Sequence, residues 1–180
     1  MATFVTSNLQ LGRPAAIKKY GRSCKDVSEM NEMLIQNWNS VVSDGDIVYH
    51  LGNFALDPKT AQDALSRLNG RIFLMPAELD ESVQTLATKG MLPKTVSLMN
   101  RITPMVQFKS NLSYWPMAEW PEKKKGFWSV IGYPEKKYKS DPRQKTINVS
   151  TDLWGNKPQD LEKLLAVSYT HLRAHETPEH

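Results

Sequence analysis

The residues of this chain best placed to do chemistry are carboxylates, amides and phenols in short segments between apolar runs. The segments read Ser7-Asn8-Leu9-Gln10-Leu11-Gly12, Leu51-Gly52-Asn53-Phe54, Pro76-Ala77-Glu78-Leu79-Asp80, Leu112-Ser113-Tyr114-Trp115-Pro116 and Ile131-Gly132-Tyr133-Pro134-Glu135. Glu78, Asp80 and Glu135, joined by Asn8 and Asn53, would make an oxygen-only set suited to a hard cation such as Mg²⁺ or Ca²⁺. The plainer alternative gives Asp80 a structural hydrogen bond to backbone and leaves Glu78 and Glu135 solvated or paired with nearby lysines. His50 lies in a strand-like run and reads as a packed, hydrogen-bonded histidine rather than a catalytic one. Cys24 has no paired histidine and sits in a polar segment, so nothing in the sequence activates its thiol. Gly52 and Gly132 do not make a phosphate-binding loop, and the Gly-x-x-x-x-Gly-Lys-Ser/Thr pattern is absent.

The elements that must position these segments alternate between strand and helix. Residues 2–6 read as a buried strand. Asp26 and Glu29 have capping-box spacing, and Val27, Met30, Leu34, Trp38 and Val41 recur on one helical face. A turn at 43–46 leads to a strand over 47–51. Asp57 as N-cap and Pro58 at the first helical position open a helix carrying Ala61, Ala64, Leu65 and Leu68, which Gly70 closes. A strand over 71–75 and a helix over 81–89 follow. The second half then turns strand-rich, over 95–98, 102–108, 127–131 and 145–150, before a short helix over 158–165. This order predicts a layered α/β fold of mixed sheets flanked by helices, in one domain over 1–166.

Composition narrows the class. Of 180 residues, 40% are hydrophobic and 23% charged, which excludes a disordered polar chain, and 9 Gly with 11 Pro exclude a collagen-like one. No apolar run reaches the ~20 residues of a membrane helix, and no basic-then-apolar leader opens the sequence. With a single cysteine, the expected compartment is the reducing cytoplasm, and no membrane partner is expected. Residues 167–180 hold three of the four histidines but no apolar periodicity; they read as a non-native or disordered tail. Removing its one arginine and two glutamates leaves the remainder more basic, so the net charge of +4 belongs to the domain.

Taken together, the loop segments resemble those of the calcineurin-like metallophosphoesterases, especially the small single-domain bacterial and phage members. The resemblance runs from about Phe4 to about Leu164. It includes Met30-Asn31-Glu32 through Trp38-Asn39-Ser40-Val41-Val42, Val48-Tyr49-His50-Leu51-Gly52, Leu68-Asn69-Gly70, Asn148-Val149, Asp152 and Pro158. It implies that family's layered sandwich and a site built from five motifs. Yet Asp-x-His stands here as Asn8-Leu9-Gln10, and Gly-Asp as Gly52-Asn53. Gly-Asn-His-Asp aligns with Ala77-Glu78-Leu79-Asp80, Tyr114 stands at a histidine position, and Gly-His-x-His stands as Gly132-Tyr133-Pro134-Glu135.

In the family, two divalent metals share a bridging aspartate and lower the pKa of bound water. Asn53 stands at the bridging position, and an amide offers one acceptor oxygen, an NH2 donor and no charge. Asn8 and Gln10 are likewise neutral, Tyr114 and Tyr133 are phenols protonated at neutral pH, and Leu79 has no proton to give. The resemblance therefore implies a pseudoenzyme without catalytic or metal-binding residues and without a cofactor, kept for a binding or structural role. A protein partner is expected, a virion or host protein if the chain is phage-encoded. The rival is a repurposed phosphoesterase using the remaining carboxylates with Mg²⁺ or Mn²⁺.

A third reading comes from Lys123, Lys124, Lys125, Lys136, Lys137 and Lys139, followed by Arg143 and Lys145. Trp115, Trp120, Trp128, Tyr133 and Tyr138 are interleaved with them. Cations along a backbone with aromatics for stacking describe a sequence-tolerant single-strand nucleic-acid surface. A solvated basic loop with its aromatics packed inward, or a surface for an acidic protein, is the alternative.

Overall fold

The computed structural model describes residues 1–135 and 137–176. Four parallel strands, β1 (Thr3–Thr6), β2 (Ile47–His50), β3 (Arg71–Leu74) and β4 (Val96–Leu98), form the first sheet. Antiparallel β9 (Gln159–Asp160) pairs with β1 and completes the order β4-β3-β2-β1-β9. The second sheet runs β5 (Ile102–Met105), β6 (Ser110–Ser113), β7 (Trp128–Ile131) and β8 (Thr146–Asn148) in that order. Its β5–β6 pair is antiparallel and the others are parallel. Helices α1 (Ala15–Tyr20), α2 (Val27–Val41), α3 (Pro58–Arg67), α4 (Glu81–Thr88) and α5 (Leu161–Glu176) complete the chain.

The layering follows from the strand period of two. On β1, Phe4 enters a core with Leu34, Trp38, Leu65 and Leu86 from the helices, while Val5 enters a second core with Leu112, Trp128, Val130 and Ile147 from the other sheet. Val48 and Tyr49 on β2 divide in the same way. The first sheet is thus buried on both faces, which explains its uninterrupted apolar runs. The expected caps hold: Asp26 Oδ1 accepts from the Glu29 amide at 2.8 Å, and Asp57 Oδ1 from the Thr60 amide at 2.9 Å. Among the described residues no helix is long and apolar enough to cross a membrane.

Three expectations change. The strand expected over 102–108 ends at Met105, and a 3₁₀ turn with Lys109 at φ 46° reverses the chain into β6. β6, Ser-Asn-Leu-Ser, is a buried strand without a hydrophobic signature. Its polar side chains bond to backbone instead, Ser110 to Phe108, Asn111 to Pro121 and Ser113 to Trp115. The last helix starts at Leu161 because Gln159 and Asp160 are drawn into pairing with β1, and it continues past Leu165 to Glu176. Residues 167–176, expected as a tail, are therefore helical. Tyr169 packs edge-on against Trp128 at 5.2 Å and Leu172 lies on the inter-sheet core. Residues 177–180 lie outside the described residues.

Candidate functional site

Parallel strands send their following loops to one edge of a sheet, where α/β proteins place their sites. After β1 and β2 these loops run alongside each other. The Asn8 amide donates to the Gly52 carbonyl at 2.8 Å, Gln10 to Asn53 at 2.9 Å and Leu11 to Phe54 at 2.9 Å. Reaching this pairing takes Asn8 (φ 62°), Gln10 (φ 50°) and Asn53 (φ 59°) into the left-handed region. Asparagine tolerates it; glutamine pays about 1 kcal/mol or more. Gly52 (φ 112°) is required twice over, because a Cβ there would lie 2.6 Å from the Tyr114 ring and 2.7 Å from Ala77 Cβ.

The amides lock onto one another. Asn8 is fully buried, and its Oδ1 accepts from Gln10 Nε2 and, at 3.4 Å, from Asn53 Nδ2. Gln10 Nε2 also donates to the Tyr20 hydroxyl at 3.0 Å, and Asn53 Nδ2 to that of Tyr114 at 3.1 Å. Asn8 Nδ2 and Asn53 Oδ1 remain buried without a hydrogen-bond partner. Burial pushes the Tyr114 phenol far above its ordinary value, so it stays neutral. Gln10, Tyr20, Asn53, Glu78, Leu79, Tyr114, Tyr133 and Glu135 line one cavity of about 340 Å³, with Arg13 and Lys19 at its side. Asn8 lies behind Gln10 and Asn53.

The carboxylates do not converge as a ligand set. Asp80 is 1% exposed and accepts from the amides of Asn53 (2.7 Å), Phe54 (2.7 Å) and Ala77 (2.8 Å). Burial raises its pKa and these backbone donors oppose the rise. Its role is to pin the Gly52-Asn53 turn to the loop after β3. Glu135 pairs with Lys137 at 3.3 Å and accepts from the Tyr133 hydroxyl at 3.1 Å, while Glu78 is exposed. Burial and then Glu135 raise the Tyr133 phenol. A dinuclear metal centre does not fit these residues. Asn53, which the resemblance sets at the bridging position, is a neutral amide whose Nδ2 donates to two oxygens and whose one acceptor, Oδ1, carries no charge to hold two cations, and the Asp80 oxygens are committed to three N–H groups. Among the described residues no three His, Cys, Asp or Glu side chains gather as a metal-binding group.

One residue that holds the site is missing from the sequence reading. Arg22, 5% exposed, forms a bidentate pair with Asp152 (Nε–Oδ1 2.8 Å, Nη2–Oδ2 2.9 Å). Its remaining donors reach the carbonyls of Leu9 (2.7 Å) and Asn8 (2.8 Å). A planar fork with five donors is the side chain able to satisfy a carboxylate and a strained loop together. Asp152 stood among the segments of the resemblance, but its partner lies 130 residues away, beyond any local pattern. Tyr20, Lys19 and Arg13 were also missed. The signals for α1 were present in Pro14 and in Gly21 (φ 63°), around only six residues.

His50 is fully buried: Nδ1 accepts from the Gly52 amide at 3.3 Å, Nε2 has no partner, and the ring meets Phe54 edge-on. Burial pushes its pKa down to about 3. Cys24 is half-buried, with its thiol pKa raised by burial first and Glu29 second, so it is not an activated thiolate.

The basic segment separates into parts. Lys123 lies over the Trp120 ring at 4.6 Å and pairs with Glu119, and Lys125 pairs with Glu122. Lys123, Lys137 and Lys139 face grooves that Arg143 and Lys145 also line; Lys124 and Lys125 stand apart from them, and Lys136 lies outside the described residues. Of the five aromatics, Trp120 and Trp128 pack inward, whereas Trp115, Tyr133 and Tyr138 stay at the surface.

No family model matches the chain. An uncharacterized protein of Methanocaldococcus jannaschii is 28% identical over 170 residues, spanning 90% of this chain and 88% of that relative. Among solved structures, a protein of unknown function from Aquifex aeolicus superimposes with a TM-score of 0.64 at 16% identity, over 92% of this chain and 98% of its own. The likeness carries the layered α/β architecture: two mixed sheets flanked by helices.

Proposed function

We propose that this protein is a metallophosphoesterase-type scaffold that works without a metal centre, a pseudoenzyme retained for a binding or structural role. The observation that carries the reading is the amide network. Asn8, Gln10 and Asn53, where the resemblance puts metal ligands, bond to one another and to two phenols. Two neutral donors converging on Asn8 Oδ1 tie the loops together without the positive charge that a carboxylate cluster would demand. A protein partner, from a virion or host if the chain is phage-encoded, and a cytoplasmic setting belong to the same proposal.

Elemental analysis of the purified chain, together with an aryl phosphodiester assay in added Mn²⁺, tests it. The expected result is no stoichiometric Mn, Fe, Zn or Ni, and hydrolysis equal to buffer. Metal-dependent turnover that Glu78→Gln or Asp80→Asn abolishes would establish the phosphoesterase rival.

A further inference from the structure

Beside the cleft the surface turns basic and aromatic. Two adjoining grooves, of about 600 Å³ and 390 Å³, share Met117, Ala118, Gln144 and Thr146 and so form one trough along the edge of the second sheet. Five cations line it: Lys123, Lys137, Lys139, Arg143 and Lys145. Asp141 is the one acidic side chain among the described lining residues, and its Oδ1 accepts from the Arg143 backbone amide at 3.1 Å. Lys139, Arg143 and Lys145 have no carboxylate partner among the described residues. Surface lysines are ordinarily interspersed with acids, and a trough with this bias is an electrostatic track for a polyanion.

A ladder of rings leads out of the trough. Tyr138 lines it, Tyr133 packs edge-on against Tyr138 at 5.3 Å, and Trp115 leans on Tyr133 at 5.1 Å with 31° between the planes. Trp115 is 43% exposed, so indole surface stays open to solvent. An acidic peptide would use the cations but has no need of open rings. Every nucleobase has a π-face to stack, and in a single strand that face is free.

We propose that this trough and ring ladder bind single-stranded nucleic acid, with phosphates along Lys139, Arg143 and Lys145 and a base stacked on Trp115. The ladder borders the cleft, since Tyr133 lines both and Trp115 packs on Tyr114, but none of these contacts passes through a metal, so the proposal stands or falls whether or not the cleft holds one.

Fluorescence anisotropy of the full chain with labelled oligo(dT) and oligo(U) of about 15 nucleotides tests it. The expected affinity falls linearly with log salt. Arg143→Ala combined with Lys145→Ala should reduce that slope by about 1.4, two phosphates at ~0.7 each. Trp115→Ala, at an exposed position, should weaken binding by about 5- to 150-fold without changing the slope. Lys139→Ala provides a third variant if the double substitution lowers the thermal midpoint. Absence of salt-dependent binding overturns the proposal. So does binding that Trp115→Ala leaves unchanged, or that poly-glutamate displaces as well as an oligonucleotide; either result marks a surface for acidic proteins.

Discussion

Replacing His50 by Asn should remove most of the acid sensitivity of this fold between about pH 7.5 and pH 5. In the native state the ring is fully buried, with a pKa near 3 against an ordinary 6.5. Between those values the unfolded chain binds a proton that the folded one refuses, so stability falls as pH falls. The loss is negligible at about pH 7.5. At about pH 5 it is 1.5 pKa units below the unfolded value, or roughly 2 kcal/mol. Asn is the informative replacement because its Oδ1 can take the place of Nδ1 as acceptor for the Gly52 amide, now at 3.3 Å. The lost ring volume costs stability equally at every pH. The assay is urea unfolding followed by tryptophan fluorescence. With a slope of about 2 kcal/mol/M, the wild-type midpoint should drop by roughly 1 M between the two pH values, while the variant's stays nearly level. Asp80, whose pKa burial raises, acts in the opposite sense above its ordinary 3.8, but it is common to both proteins and drops out of the comparison. Parallel pH profiles for wild type and variant would refute the reasoning.

Further outcomes follow from the loops. Arg22→Met strips the partner from Asp152 and from two carbonyls, and should cost about 3–5 kcal/mol in denaturant unfolding; a cost under ~1 kcal/mol would show that the buried pair does not hold the loop. Gly52→Ala drives a methyl into Tyr114 and Ala77 from a left-handed backbone, and should lower stability by about 1–3 kcal/mol; an unchanged thermal midpoint would contradict the packing. Asp80→Asn turns one carboxylate acceptor into a donor facing backbone N–H groups, and should cost about 2 kcal/mol or more. Unaltered stability would return Asp80 to the set of potential ligands.

The parts of this fold that could be read ahead are those whose signals are local. Asp57-Pro58 and Asp26 with Glu29 announce helix starts because a cap satisfies neighbouring amides. Strands β1, β2 and β3 show themselves because burial on both faces demands apolar runs. β6 stayed hidden because Ser110, Asn111 and Ser113 are satisfied by side-chain bonds to backbone, and such bonds leave no hydrophobic trace. The gathering of Gln10, Asn53, Tyr114 and Tyr133 on one cavity was foreseeable, since loops after parallel strands share an edge. What those residues do there was not. That Asp80 bonds to backbone was the plainer of the two expectations, and it holds; which amides it serves, and that Arg22 reaches Asp152, depend on orientations set by the whole packed chain.

The two sheets are stitched where β1 and β8 run out. Ser7 bridges to Ser150, its Oγ donates to the Gly132 carbonyl at 2.8 Å, its own carbonyl takes the Thr151 amide at 3.0 Å, and a Cβ on Gly132 would strike the Leu51 carbonyl. The cavity walls come from both sheets, so this seam works like the spine of a book glued at a fixed angle. The separation of the walls is thus set by main-chain contacts at Ser7 and Gly132, and a side chain exchanged along the rim alters the lining of the cleft without touching the seam itself.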